Sequence, residues 1–209
     1  MTTNQNNKTI DAARSNKSIF DGLYEKNTVL ASGLVIAPVV VAANSLKAAC
    51  VLCLFFSILT FFTILISSFV PRDIVYAIRI ILYTFIASLV YVPVMIFLKS
   101  FFPTEIASLG IFIPLLITNS LIVSQTEINF FKKSKGRMIA EVFFYILGFD
   151  VVVLIFAFVR EVFAYGSIGD RILGIPLTFP ALALPFGGFI LLGLFAALFR
   201  LIKTTARRK

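Results

Sequence analysis

From residue 28 onward the chain is dominated by long apolar runs separated by short polar breaks, whereas residues 1–27 are polar and rich in Asn, Thr and Lys. A helix needs ~20 consecutive apolar residues to cross a hydrocarbon layer ~30 Å thick. The pattern marks out segments at Thr28–Ala43, Leu46–Val70, Ile74–Leu98, Ala107–Val123, Met138–Val159 and Leu177–Leu201. The first and fourth are short and carry Pro38 and Pro114, and the first runs into Asn44-Ser45 with almost no loop. The expectation is an all-α integral membrane protein with six transmembrane helices. A polar cytoplasmic arm (1–27) would precede a single membrane domain (28–203), and a basic cytoplasmic tail (204–209) would follow it. The arm lacks the short apolar core and small-residue cleavage site of a signal peptide, so the first span is expected to be retained.

The two halves share a pattern. Gly33, an apolar run, Pro38, a second run and Asn44-Ser45-Leu46 open the first half; Gly110, an apolar run, Pro114, a second run and Asn119-Ser120-Leu121 open the second. Each opens a group of three spans, giving repeats over 28–98 and 107–201. An odd number of spans per repeat inverts the second copy, and Pro-interrupted segments at matching positions predict broken half-helices in spans 1 and 4 that meet near the bilayer midplane. The alternative is that these prolines only kink ordinary membrane helices.

Charge tests the topology independently. The sequence has 19 Lys and Arg against 10 Asp and Glu, a net charge of +9. With both termini cytoplasmic, only Lys47, Lys99, Arg160 and Arg171 fall outside and the other basic residues fall inside. The positive-inside rule predicts that bias for an even number of spans. Composition agrees: 59% of residues are hydrophobic and 14% charged, where a soluble domain carries ~25% charged residues. A nucleic-acid partner is excluded because the basic residues are dispersed among apolar spans; the expected surroundings are the lipid bilayer.

The chemistry available is narrow. With no His, the chain has no His-ligated metal site and lacks the usual general base. Its two cysteines cannot complete a four-thiolate iron–sulfur cluster alone. No Gly-rich phosphate loop or nucleophile elbow is present, so catalysis by the isolated chain is not expected.

A few residues remain as candidates. Asp150 lies near the middle of the fifth span, where an ionisable group costs ~2.5–3.5 kcal/mol and by default faces the protein interior, marking an ion or proton path; the alternative is a satisfied interhelical hydrogen bond. Thr118, Asn119 and Ser120 form a polar cluster that lines a cavity or glues helices together. Cys50 and Cys53 are spaced i, i+3 on the second span, which puts both thiols on one helix face. They read as packing residues, or else as two metal ligands. Arg160-Glu161 reads as an interfacial charge pair, and Glu141 as an interfacial carboxylate or solvated cap.

The stretch Ser108-Leu-Gly-Ile-Phe-Ile-Pro-Leu-Leu-Ile-Thr-Asn-Ser120 resembles the integral membrane subunits of the Rnf and Na⁺-translocating NADH:quinone oxidoreductase (NQR) complexes, on the RnfE/NqrD side. Ile36-Ala37-Pro38, Phe158-Val-Arg160-Glu161 and Leu184-Pro185-Phe-Gly-Gly188 also resemble that family, in order, over roughly Val29 to Ile202. Glu141 lies close to a family carboxylate at the start of the fifth span, whereas Asp150 has no counterpart. The resemblance implies two inverted three-helix repeats and a homologous sister subunit. It also implies a [2Fe–2S] cluster held by two cysteines from each of the two subunits, with flavins on partner subunits. Here Ala37 and Ser120 occupy the two ligand positions, and an alanine methyl cannot bind iron. The expected function is thus a non-catalytic membrane subunit of an Rnf/NQR-like, NADH- or ferredoxin-linked complex in the bacterial cytoplasmic membrane, with a degenerate cluster site. The alternative is a redox-independent transporter of a small solute or ion on the same scaffold.

Overall fold

The computed structural model describes residues 40, 43–71, 73–118, 135–169, 171–172 and 178–206. Among the described residues, four helices are long and apolar enough to cross a membrane. Helix α1 (Leu46–Ser67) and α2 (Tyr76–Phe101) are followed by the short α3 (Pro103–Leu109), then α4 (Lys135–Tyr165) and α5 (Pro185–Ala206). These correspond to the predicted second, third, fifth and sixth spans. The predicted first span, apart from Val40 and Ala43, lies outside the described residues, as do residues 119–134 with Asn119 and Ser120.

Local chemistry sets the boundaries. Ser45 caps α1, its hydroxyl accepting from the Ala48 amide at 3.3 Å. This satisfies one of the amides a helix start leaves orphaned. Helix α2 runs three residues past the predicted Leu98 and stops at Phe102, because Pro103 disfavours helical backbone at the residue before it. Pro93 lies inside α2 without ending it. The predicted fourth span is not one helix in its described part. It begins as α3, and Gly110 at φ 50° turns the chain into two short 3₁₀ segments, Gly110–Phe112 and Pro114–Thr118. Helix α4 is longer at both ends than Met138–Val159, and runs through Arg160-Glu161 to Tyr165. Helix α5 starts at Pro185 instead of Leu177: Pro180 and Pro185 each open a helical segment, a 3₁₀ turn (Pro180–Ala183) and then α5. Between α4 and that turn lies a two-residue antiparallel ladder, β1 (Ser167–Ile168) with β2 (Arg171–Ile172).

Helix α1 is the centre of the described bundle. Buried residues make up 56% of its apolar window and 50% of that of α4, against 22% in α2 and 18% in α5. Phe56 of α1 stacks on Phe149 of α4, with ring centroids 3.8 Å apart, and Phe55 on its other side meets Tyr91 of α2 at 5.5 Å. The outward residues of α2 and α5, such as Ile81, Phe85, Leu194 and Leu198, are large and apolar, as lipid-facing positions require.

Candidate functional site

The polar residues of the bundle concentrate where α1 meets α4. Glu161 reaches Leu46 at the start of α1, and Asp150 reaches Ser57 in its middle. As one chain advances the other recedes, so the helices pack antiparallel and expose three polar layers to each other.

The first layer is Arg160 and Glu161. Both are buried, Arg160 to 1% exposure. Neighbours one residue apart on a helix diverge by about 100°, so the two do not pair with each other as the sequence pattern suggested. Instead the guanidinium donates to five backbone carbonyls. It reaches Leu182, Ala183 and Leu184 just before α5 at 2.7, 2.8 and 3.3 Å, and Val40 and, at 3.4 Å, Ala43 just before α1. Gly188 leaves room for it, since a Cβ there would lie 3.2 Å from the guanidinium carbon. Glu161 Oε2 accepts from the Leu46 amide at 2.5 Å, a second cap on the first turn of α1. The positive group thus meets carbonyls and the negative group a helix N-terminus, the arrangement helix dipoles favour.

The second layer is Asp150. Its Oδ2 accepts from Ser57 Oγ at 2.7 Å, and the Cys53 thiol lies 3.8 Å from its backbone carbonyl. Its Oδ1 is buried with no hydrogen-bond partner among the described residues. The carboxylate therefore faces the bundle interior, half satisfied. The third layer continues along α1: the hydroxyls of Thr60, Thr63 and Ser67 are fully buried and also without partners among the described residues.

The other candidates separate. Cys53 is buried, but Cys50 is exposed and lines an apolar pocket of about 330 Å³ with Leu46, Val51, Leu54 and Phe102, Lys47 and Glu105 at its rim. The two thiols thus meet different surroundings, one in the pocket and one inside the bundle. Beside that pocket, outside the spans, the Thr104 hydroxyl donates to Glu105 at 2.7 Å and, with a smaller contribution from Lys47, holds its carboxyl below the usual range. Glu141 is buried, so the solvated-cap reading is wrong. Thr118 ends the second 3₁₀ segment; Ala37, Asn119 and Ser120 lie outside the described residues. Among the described residues no group of three or more Cys, Asp and Glu converges to hold a metal ion. Sequence reasoning missed Ser57, Thr60, Thr63 and Ser67, although their spacing along one apolar helix was visible.

Apolar helices locked together by buried Arg160 and Glu161 and by the half-buried Asp150 define a multi-pass helical membrane protein with a polar interior. The model of the Rnf-Nqr subunit family of membrane proteins matches residues 16–196. The chain belongs to the Rnf-Nqr family. It is 30% identical over 195 residues to a subunit of the Na⁺-translocating NADH-quinone reductase of Pseudoalteromonas translucida, covering 88% of this chain and 91% of that one. It is 28% identical to a subunit of the ion-translocating oxidoreductase complex of Shewanella piezotolerans, a match covering 64% of this chain and 63% of that relative. Over 116 residues it is 35% identical to a subunit of the Na⁺-translocating ferredoxin:NAD⁺ oxidoreductase complex of Acetobacterium woodii, covering 54% of this chain and 58% of that one.

Proposed function

We propose that this chain is a membrane subunit of an Rnf/NQR-like, ion-translocating electron-transport complex in the bacterial cytoplasmic membrane. The observation that carries the reading is the family match, which extends over nearly the whole membrane region. In this reading the chain has six spans in two inverted repeats, both termini are cytoplasmic, and it pairs with a homologous sister subunit and further redox subunits that carry the flavins. Asp150 supports an ion-handling role, because a carboxylate with one oxygen unpartnered among the described residues is costly at that depth and is retained where it does chemistry. Thr118, Asn119 and Glu141 remain secondary candidates for the same path. The cluster of the family would supply one-electron transfer across the membrane. Ala37 offers no ligand and Ser120 only a hard oxygen, so no electron step is assigned to these positions. Isolation of the tagged chain from its native membrane, with flavin and iron analysis and electron paramagnetic resonance, tests the proposal. Co-purifying flavoprotein subunits are expected. A chain recovered intact and without any redox partner would refute it.

The alternative, a transporter without redox chemistry, has a specific observation in its favour: a chain with Ala37 and Ser120 at the ligand positions keeps a carboxylate, Asp150, with a buried oxygen between two helices. Cation movement in vesicles holding the chain alone would establish that alternative.

A further inference from the structure

Hydroxyls inside membrane helices ordinarily satisfy themselves by bonding to the carbonyl four residues back. This protein does so on its outer helices. On α2, Thr84, Ser88 and Ser100 donate to Ile80, Thr84 and Ile96 carbonyls at 3.0–3.1 Å, and on α5 Thr204 and Thr205 donate to Arg200 and Leu201. Helix α1 breaks the rule. Ser57 turns to Asp150, and Thr60, Thr63 and Ser67 make no bond among the described residues despite complete burial. An unpaired buried hydroxyl costs ~1–3 kcal/mol. Three on one helix, beside a carboxylate oxygen in the same condition, are a repeated expense that packing does not explain.

The hydroxyls are aligned. Ser57 and Phe56 both touch α4, so the arc of α1 between them faces that helix. At about 100° per residue, Thr60 and Ser67 fall inside this arc and Thr63 borders it. From Ser57 to Ser67 the track rises roughly 15 Å, about half the hydrocarbon thickness. It begins at Asp150 and ends at the last residue of α1.

We infer that this seam is a half-path for a small monovalent cation, leading from the Ser67 end of α1 to Asp150 at mid-depth. The hydroxyl oxygens of Ser67, Thr63 and Thr60 supply neutral oxygen ligands in succession, and the Asp150 Oδ1, unpartnered among the described residues, supplies the carboxylate terminus. Oxygen donors of this kind suit hard cations, sodium or a hydrated proton, and not soft metals. The inference rests on the ion-handling role proposed for Asp150 and assigns that role an entrance and a direction.

Accessibility to silver ion, a thiol-reactive cation close to sodium in size, tests the seam without requiring activity. Single-cysteine variants Ser67→Cys, Thr60→Cys and, as a lipid-facing control, Phe62→Cys are made in the full chain carrying Cys50→Ala and Cys53→Ala, reconstituted in vesicles. Phe62 is 47% exposed on the outer side of α1. Silver is expected to react with Ser67→Cys and Thr60→Cys at least tenfold faster than with Phe62→Cys. Slowing of the Thr60→Cys reaction by sodium, but not by choline at equal ionic strength, identifies sodium as the cargo; reaction unaffected by sodium identifies a proton and water route. Reaction no faster at Thr60 and Ser67 than at Phe62 overturns the inference. Because this readout needs no partner subunit, it fails or succeeds separately from the complex-level proposal.

Discussion

Arg160→Ala removes the side chain that joins the chain just before α1 to the chain just before α5. Three of its five bonds carry most of the weight: those to Leu182 and Ala183 at 2.7 and 2.8 Å, and that to Val40. The contacts to Leu184 and Ala43, at 3.3 and 3.4 Å, are long and share their donors. Truncation strips three carbonyls of their partner, at ~1–3 kcal/mol each where water cannot replace it. Against this stands the relief of no longer burying a cation, which offsets part of the loss. A net destabilisation of about 3–5 kcal/mol follows, the range measured when one partner of a buried charged contact is deleted. For a chain of this length that corresponds to a melting shift on the order of 10 °C. Thermal unfolding in detergent, followed by the reaction of buried Cys53 with a thiol dye in a Cys50→Ala background, measures it. Arg160→Lys should fall between wild type and Ala, because a single ammonium cannot span both carbonyl groups. Arg200→Ala, on exposed α5 surface, should leave melting unchanged. Equal melting of Arg160→Ala and wild type, within 2 °C of one another by order of magnitude, would refute the clamp.

Ser57→Ala should destabilise by ~1–3 kcal/mol in the same assay, since it removes the hydroxyl from which Asp150 Oδ2 accepts; a neutral result would mean that another group, such as the neighbouring Cys53 thiol, takes its place. Gly187→Ala should lower expression and melting, because its Cβ would sit 2.1 Å from the Ala181 carbonyl oxygen, whereas Gly193→Ala, with nothing within 4 Å, should stabilise α5 by up to ~1 kcal/mol. Thr60→Val should melt slightly higher than wild type, by removal of an unpaired hydroxyl, while slowing cation movement; melting below wild type would show that the hydroxyl is bonded after all. The Thr104 bond to Glu105 is made to the charged carboxylate, so it is present at neutral pH and lost as pH falls through the depressed value. Thr104→Val should accordingly raise the Glu105 titration midpoint towards the ordinary carboxylate range, as read by carbon NMR.

Hydropathy alone placed four of the helices, because lipid makes length and apolarity sufficient evidence for a span. Where it erred, proline chemistry decided: Pro103 ends α2 and Pro185 begins α5, and neither changes a hydropathy average much. Asp150 was legible as an inward residue because a carboxylate at that depth has few other places to go. Its partners were not, since choosing Ser57 requires the rotation of α1 about its own axis, and an apolar sequence with little amphipathic contrast does not specify that rotation. The same lack of contrast hid the split between Cys50 and Cys53, which share a face by spacing yet straddle its edge, one thiol in the bundle and the other in the pocket beside Lys47.

Arg160-Glu161 shows most clearly why local pattern and tertiary role part company. Two opposite charges in sequence suggest a pair, but on α4 they point about 100° apart and each finds a different kind of backbone end. The guanidinium takes carbonyls at Val40 and Ala43 while the carboxylate takes the amide of Leu46. Residues 40–46 are where the sequence leaves almost no loop between its first two apolar segments. A turn that tight inside a membrane domain strands carbonyls on one side and amides on the other, and no water is at hand to satisfy them. One adjacent cation–anion pair on a neighbouring helix satisfies both. The closeness of Asn44 and Ser45 to α1 and the burial of Arg160 are then one fact: the abrupt connection requires the buried charges, and the buried charges are tolerable only because the connection supplies their partners.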